Sequence, residues 1–465
     1  MQRVIKQVGW NGLRGLLMAL CVGVITLALG GCEFSEQDNE LESGVAEHTL
    51  VMYLNANNNL SPHITNNVYD AEVGMVGAMP STRLVIYLDT ATSTKLYEVS
   101  YLRYGDGNYI KHTRVLKEYP EQTSTTPAVM KAVFEDIKTL VPSKSYGLVH
   151  AGHGSGWFPK PDSGTAYNSQ KNHPFGPTNT PQTNATVGDE YDFGFFAAKE
   201  PLTRAMGYDG DVNNFTSTAE FVEGISPIKF DYIVFDACFM ASLEFLYELR
   251  NYTDYVIASP VEVMGPGYPY QDIIPLLMAP NHSLQAVCEK IMDVYRNDRT
   301  FSVTESAAVT LIDCSKLEAL TESVSAVWRK VSMGKLTSES EVVGFISANV
   351  DEKKVQVLDR MKPAGFYDLK DFVEQLAGEG NVAEVEAFRV ALSEAVVFAD
   401  NTDEITSLGY SSDGLASYGY GVIQPKDGAE SVKLCGLSCY LPRTTAPITM
   451  LWYFQTEWAR KAYGL

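Results

Sequence analysis

Apolar residues in the first 300 positions come in short unbroken runs, separated by polar stretches long enough to hold a helix. "TLVMYLN" (Thr49–Asn55), "LVIYLD" (Leu84–Asp89), "YGLVHA" (Tyr146–Ala151), "YIVFDA" (Tyr232–Ala237) and "YVIAS" (Tyr255–Ser259) are of this kind. Such continuous hydrophobicity means burial on both faces, as in the strands of a parallel sheet covered by helices. One connecting helix is well marked. Thr126 stands at its cap, Pro127 at its first position, and Val129, Val133, Ile137 and Leu140 recur on one face until Pro142. The pattern predicts an α/β/α sandwich around a mostly parallel central sheet.

Beyond residue 300 the helical period takes over, in "CSKLEALTESVSAVWRK", "YDLKDFVEQLA" and "VAEVEAFRVALSEAVVFA". Two β-like runs follow, "YGYGVIQP" and "GLSCYLP", and then an aromatic-rich helix from Leu451 to Tyr463. This predicts a core over residues 48–300 with a C-terminal α/β subdomain over 301–465. Within the core, residues 155–206 form a stretch rich in Pro, Asn, Thr and Gly; loops of this length are functional lids or disordered segments.

The N-terminus stands apart. Arg3, Lys6 and Arg14 precede an apolar run from Leu16 to Leu29 that ends in "LGGC". Residues 1–31 read as an export signal of the bacterial lipoprotein type, with Cys32 the acylated first residue of the mature chain; a plain cleaved signal or an uncleaved anchor is the other reading. The run is short for a membrane span. Residues 32–47, beginning "CEFSEQDNELESG", then form an acidic tether, and an acidic tether here resembles the surface-export signals of Bacteroidetes lipoproteins. Beyond the signal there are 33 Lys and Arg against 57 Asp and Glu, a formal charge of −24. That balance argues against nucleic acid and suits an extracytoplasmic protein or one that receives basic ligands. Five cysteines remain past Cys32, an odd number without metal-binding spacing, so at least one stays free.

Two strand ends carry candidate chemistry. "FDYIVFDACFMASLEFLYEL" runs from a strand into Asp236, Ala237 and Cys238, and its period predicts a helix from Phe239 with Met240, Leu243, Leu246 and Leu249 on one face. Cys238 would then lie at a strand's carboxyl end, where reactants gather in open α/β sheets, and at a helix N-terminus, which favours the thiolate. A small buried hydrophobe between strand and helix is the other reading. "HAGHGSGW" also follows a strand, and its glycines leave backbone open to a substrate; the Gly154 N–H could face an oxyanion. A thiolate attacking a carbonyl needs an imidazole to protonate the leaving amine, and His153 or His150 could supply it.

"YGLVHAGHGSGW" followed by "VFDACFMASLEFLYELR" resembles the clostripain family of cysteine peptidases, in the clan that also holds caspases, gingipains and legumains. "VMYLNANNNLS", "YVIASPVEVMGPGYPY" and "GLSCYLP" extend the resemblance over most of the chain. It implies a caspase-like fold and peptide-bond hydrolysis through a Cys238 thioester, with His153 as general acid/base and the amides of Gly154 and Cys238 as oxyanion donors. No metal or organic cofactor is needed. His150 falls where the family has an apolar strand residue, so it reads as structural.

The resemblance also places Asp236 in the pocket for the residue before the cut bond, where it would pair with Arg or Lys; the alternative is an Asp that caps the helix from Phe239. Glu262 is a second acid for that pocket. Family members often cut themselves between the two motifs, where Lys160, Lys171, Lys199 and Arg204 offer basic sites. "DGDVNNFTSTAE" (Asp209–Glu220) has EF-hand spacing, but Asn214 replaces the needed glycine, and Ser217 with Glu220 reads more simply as a capping box. Some family members depend on calcium, so the ion stays open elsewhere. The expected partners are a peptide or protein substrate and a membrane reached through lipid on Cys32. A silent peptide-binding lipoprotein, or a peptidase of other specificity, is the alternative function.

Overall fold

The computed structural model describes residues 44–465 except 77, 79–80, 104–107, 159–205, 210, 280, 299, 303, 362–363, 411–417 and 444–452. The five runs predicted as buried strands are β1 (His48–Asn55), β2 (Thr82–Thr90), β5 (Tyr146–Ala151), β8 (Phe230–Asp236) and β9 (Thr253–Ala258). All five are parallel to one another, in the order β9-β8-β5-β1-β2. Every residue of β1 and β5 is buried, as their unbroken hydrophobicity requires.

Antiparallel strands widen this sheet to nine. Beyond β2 lie β3 (Ser93–Arg103) and β4 (Tyr109–Tyr119); beyond β9 lie β10 (Ala308–Asp313) and β12 (Val396–Asn401). The segment expected as a C-terminal subdomain thus adds β10 and β12 to the central sheet, and residues 45–465 form one compact unit. "VAEVEAFRVALSEAVVFA" is not one helix: the helix Val382–Ala395 stops and the chain pairs with β10. The last helix is Glu457–Tyr463, shorter than expected, while residues 451–452 lie outside the described ones.

Both faces of the sheet are covered. Val51, Tyr53, Leu148 and Phe235 pack on one side with Val133, Phe134 and Ile137 of the helix Pro127–Leu140 and Phe221 of the helix Thr218–Ile225. Leu50, Met52, Val149 and Val234 pack on the other with Ile64, Ile274 and Ile291, from the helices Ser61–Gly74, Tyr270–Leu277 and Leu284–Asn297. The helix Pro127–Leu140 has its predicted bounds, but Thr126 does not cap it through its side chain; the hydroxyl donates to Thr123 O at 3.1 Å. Short antiparallel pairs lie outside the main sheet: β6 (Met206–Asp209) with β7 (Asp211–Thr216), β11 (Tyr367–Asp368) with β15 (Ser438–Cys439), and β13 (Thr406–Tyr410) with β14 (Tyr418–Val422).

Candidate active site

Strand β1 lies between β5 and β2, so the chain leaves β1 toward one side of the sheet and later returns on the other. A crevice opens at such a reversal, beyond the carboxyl ends of the strands. Three neighbouring strands deliver their ends there: β1 leads to Asn59, β5 to His153 and β8 to Cys238.

The two motifs meet backbone to backbone. Gly152 N–H donates to Asp236 O at 3.3 Å, and a Cβ on Gly154 would lie 2.5 Å from Cys238 O and 2.8 Å from Cys238 N. Only glycine allows that approach. His153 is buried, with Nε2 2.8 Å from Asn59 Oδ1. Since that oxygen only accepts, Nε2 carries the proton and the lone pair of the neutral ring is on Nδ1. Cys238 is half-buried, with Sγ 3.8 Å from Val263 O.

Cys238 does not sit in the first turn of a helix. Residues 237–242 form a turn, Phe239 adopts a left-handed φ of 61°, and the helix begins only at Leu243 after Ser242. The delay has a tertiary cause, because Phe239 N–H is spent on Val261 O and Ala241 N–H on Ser259 O. The expected help from a helix N-terminus therefore falls away. What fixes the turn instead comes from far along the chain. Ser438 N–H donates to Ala241 O at 2.9 Å, Tyr440 N–H to Glu244 Oε1 at 2.7 Å, and the Phe239 ring stacks on Phe366 at 4.3 Å. Burial pushes the Glu244 carboxyl up to about 8, so it is neutral at pH 7.

Cys238 and His153 border a cleft of about 240 Å³ that also reaches Asp236, Glu262, Asn67 and Gly267. Asp236 caps no helix; Ser242 holds the cap position. Its Oδ2 accepts from Tyr270 Oη at 2.7 Å and Tyr268 N–H at 3.2 Å. Burial raises its pKa to about 6, and those two hydrogen bonds restrain the rise. Glu262 lies in the cleft wall, where Oε1 accepts from Ser407 Oγ at 2.8 Å and Leu408 N–H at 2.9 Å, tying β13 to the site. Leu408 and Tyr420 of the β13–β14 hairpin line the same cleft.

His150 points to the other face of the sheet, stacked on Tyr53 and edge-on to Phe221, and Nδ1 has no hydrogen-bond partner. Burial lowers its pKa to about 4, so it is a neutral core ring. In the EF-hand-like stretch, Ser217 and Glu220 form the expected reciprocal capping box. All five cysteines past Cys32 are thiols. Cys32, Lys160, Lys171, Lys199 and Arg204 lie outside the described residues.

Sequence reasoning missed Asn59, Asn67, Tyr270 and Ser407. Asn59 had a signal, since it closes the amide run "NANNN" just after β1. The other three carry none, because helix and strand positions far apart in the chain meet only in the fold.

The sequence model of the clostripain family matches residues 191–461, more than half of the chain. The chain belongs to the clostripain family. Clostripain of Hathewaya histolytica is 22% identical over 258 residues, which are 50% of this chain and 42% of that protein. The chain therefore spans less than half the length of this relative. Among solved structures, an inactive zymogen C11 protease from Parabacteroides distasonis has a TM-score of 0.66 at 22% identity, covering 90% of this chain and 99% of that one. A secreted C11 cysteine protease from Bacteroides thetaiotaomicron, in complex with an irreversible peptide inhibitor, gives 0.66 at 23% identity with the same coverage. Both share the fold: a mixed sheet with a parallel centre, flanked by helices.

Proposed function

We propose that this chain is a cysteine endopeptidase that cuts after Arg or Lys. The observation that carries the reading is the close approach of Gly154 to the Cys238 backbone, which joins the two strand-end motifs at one cleft. His153 takes the Cys238 thiol proton on Nδ1, and the thiolate attacks the peptide carbonyl carbon, forming a C–S bond and an oxyanion for the amides of Gly154 and Cys238 to receive. His153 gives its proton to the leaving amine as the C–N bond breaks, leaving a thioester. Water then attacks, His153 takes its proton, and the sulfur leaves. Asn59 holds the imidazole by Nε2, which leaves Nδ1 for these transfers. Asp236 at the cleft receives the basic side chain before the cut bond. No step calls for a cofactor. Cys32 carries lipid and holds the protein in the bacterial envelope, with the membrane as a partner.

The purified protein on a fluorogenic peptide library, beside Cys238→Ala and His153→Ala, tests this. Cleavage after Arg or Lys that vanishes in both variants is expected, together with release from the membrane fraction on Cys32→Ser. Cleavage surviving Cys238→Ala refutes the mechanism.

A further inference from the structure

Asp236 is an uneven carboxylate. A carboxylate oxygen has two lone pairs, and on Oδ2 both are taken, by Tyr270 Oη–H and Tyr268 N–H. Oδ1 has no donor among the described residues. An arginine gains its advantage by laying two parallel N–H groups across both oxygens, and here the second is already saturated. A lysine ammonium makes no such demand, since its three N–H groups radiate from one point and suit acceptors gathered around it.

Such a gathering exists. Asn67, on the helix Ser61–Gly74, is 5% exposed and lines the same cleft. In the orientation that satisfies its amide, Nδ2 donates to His63 O at 3.2 Å and Pro266 O at 3.0 Å, so Oδ1 is the atom turned away from those carbonyls. A Cβ on Gly267 would lie 2.3 Å from Asp236 Oδ2 and 3.0 Å from that outer amide atom. The carboxylate and the amide oxygen therefore flank Gly267 on the cleft they share, and any side chain there, at φ +72°, would crowd both.

We propose that this pocket selects lysine over arginine before the cut bond: Asp236 Oδ1 and Asn67 Oδ1 accept from the ammonium, and Tyr270 withholds the second carboxylate oxygen from a guanidinium. This rests on the reading that the cleft receives a basic side chain.

The test is kcat/KM on matched fluorogenic peptides that differ only in Lys or Arg before the cut. Wild type should favour Lys by about tenfold, the scale of one charge-assisted hydrogen bond. Tyr270→Phe returns a lone pair to Oδ2 and should shift the ratio about fivefold toward Arg, while Asn67→Ala should lower cleavage after Lys more than after Arg. Equal cleavage or an Arg preference in wild type overturns the proposal alone, as does an unmoved ratio in a folded Tyr270→Phe. If that variant does not fold, the wild-type ratio and Asn67→Ala decide. Cleavage after neither basic residue overturns this proposal and the underlying reading together.

Discussion

Gly154→Ala puts the convergence of the two motifs to the most direct test. The added methyl would stand 2.5 Å from Cys238 O and 2.8 Å from Cys238 N, where ordinary contact begins at 3.4 Å. Both obstacles are main-chain atoms, so no side chain can swing aside, and the two backbones must part by about 0.9 Å. Overpacking of this kind costs about 1–3 kcal/mol, a melting shift of only a few degrees in a chain of this size. Activity should suffer far more, because a misplacement of about 1 Å between reacting groups costs on the order of 100-fold. The assay is kcat/KM on a fluorogenic peptide beside a thermal melt. Gly344→Ala serves as control: Gly344 is an exposed position in the helix Glu339–Asn349 with nothing within 4 Å of the new Cβ. It should gain roughly 0.5–1 kcal/mol and keep full activity. A folded Gly154→Ala within threefold of wild type would refute the argument that this contact sets His153 against Cys238.

Asn59→Ala removes the acceptor that holds His153 Nε2, and should lower kcat about tenfold or more with little change in Tm, since Asn59 is exposed. Asn59→Asp restores an acceptor and should recover part of the loss; no recovery would mean that Asn59 acts in some other way. His150→Phe probes the buried ring. Folded His150 titrates near 4 and an unfolded imidazole near 6.5, so between those values the unfolded chain binds more protons. Wild type therefore loses on the order of 3 kcal/mol at this site as pH falls from about 6.5 to 4. The stability of His150→Phe relative to wild type should improve over that interval in melts from pH 7 to 4.5, and a gap that does not change with pH contradicts the burial argument.

The parallel centre of the sheet was legible because burial on both faces leaves no polar position to interrupt the run. The outer strands were not. β4 is exposed along most of its length and carries Lys111, Arg114 and Lys117, the charges that keep an edge strand from pairing further. β12 was hidden because Val396 and Phe398 continue the apolar spacing of the helix before them. His153 and Cys238 could be singled out because each follows a buried strand closely. The helix after Cys238 starts four residues later than its periodicity predicts, because the carbonyls that claim Phe239 and Ala241 belong to residues 261 and 259 respectively. No local periodicity encodes that competition. Asn67 and Tyr270 read as ordinary helix positions, and only packing of their two helices brings them to Asp236.

The bonds from Ser438 and Tyr440 to the turn that carries Cys238 impose an order in time. Two hundred residues separate Cys238 from Ser438, roughly 10–40 s of translation at typical rates. Between Ala258 and Thr406 a nascent chain already holds the thiol, the imidazole and the sequence of all five parallel strands. It lacks both the strand that braces the Cys238 turn and the hairpin that walls the cleft. On the proposed mechanism, a chain released early carries Cys238 and His153 without the frame that aligns them, and proteins near an unfinished molecule are spared cleavage.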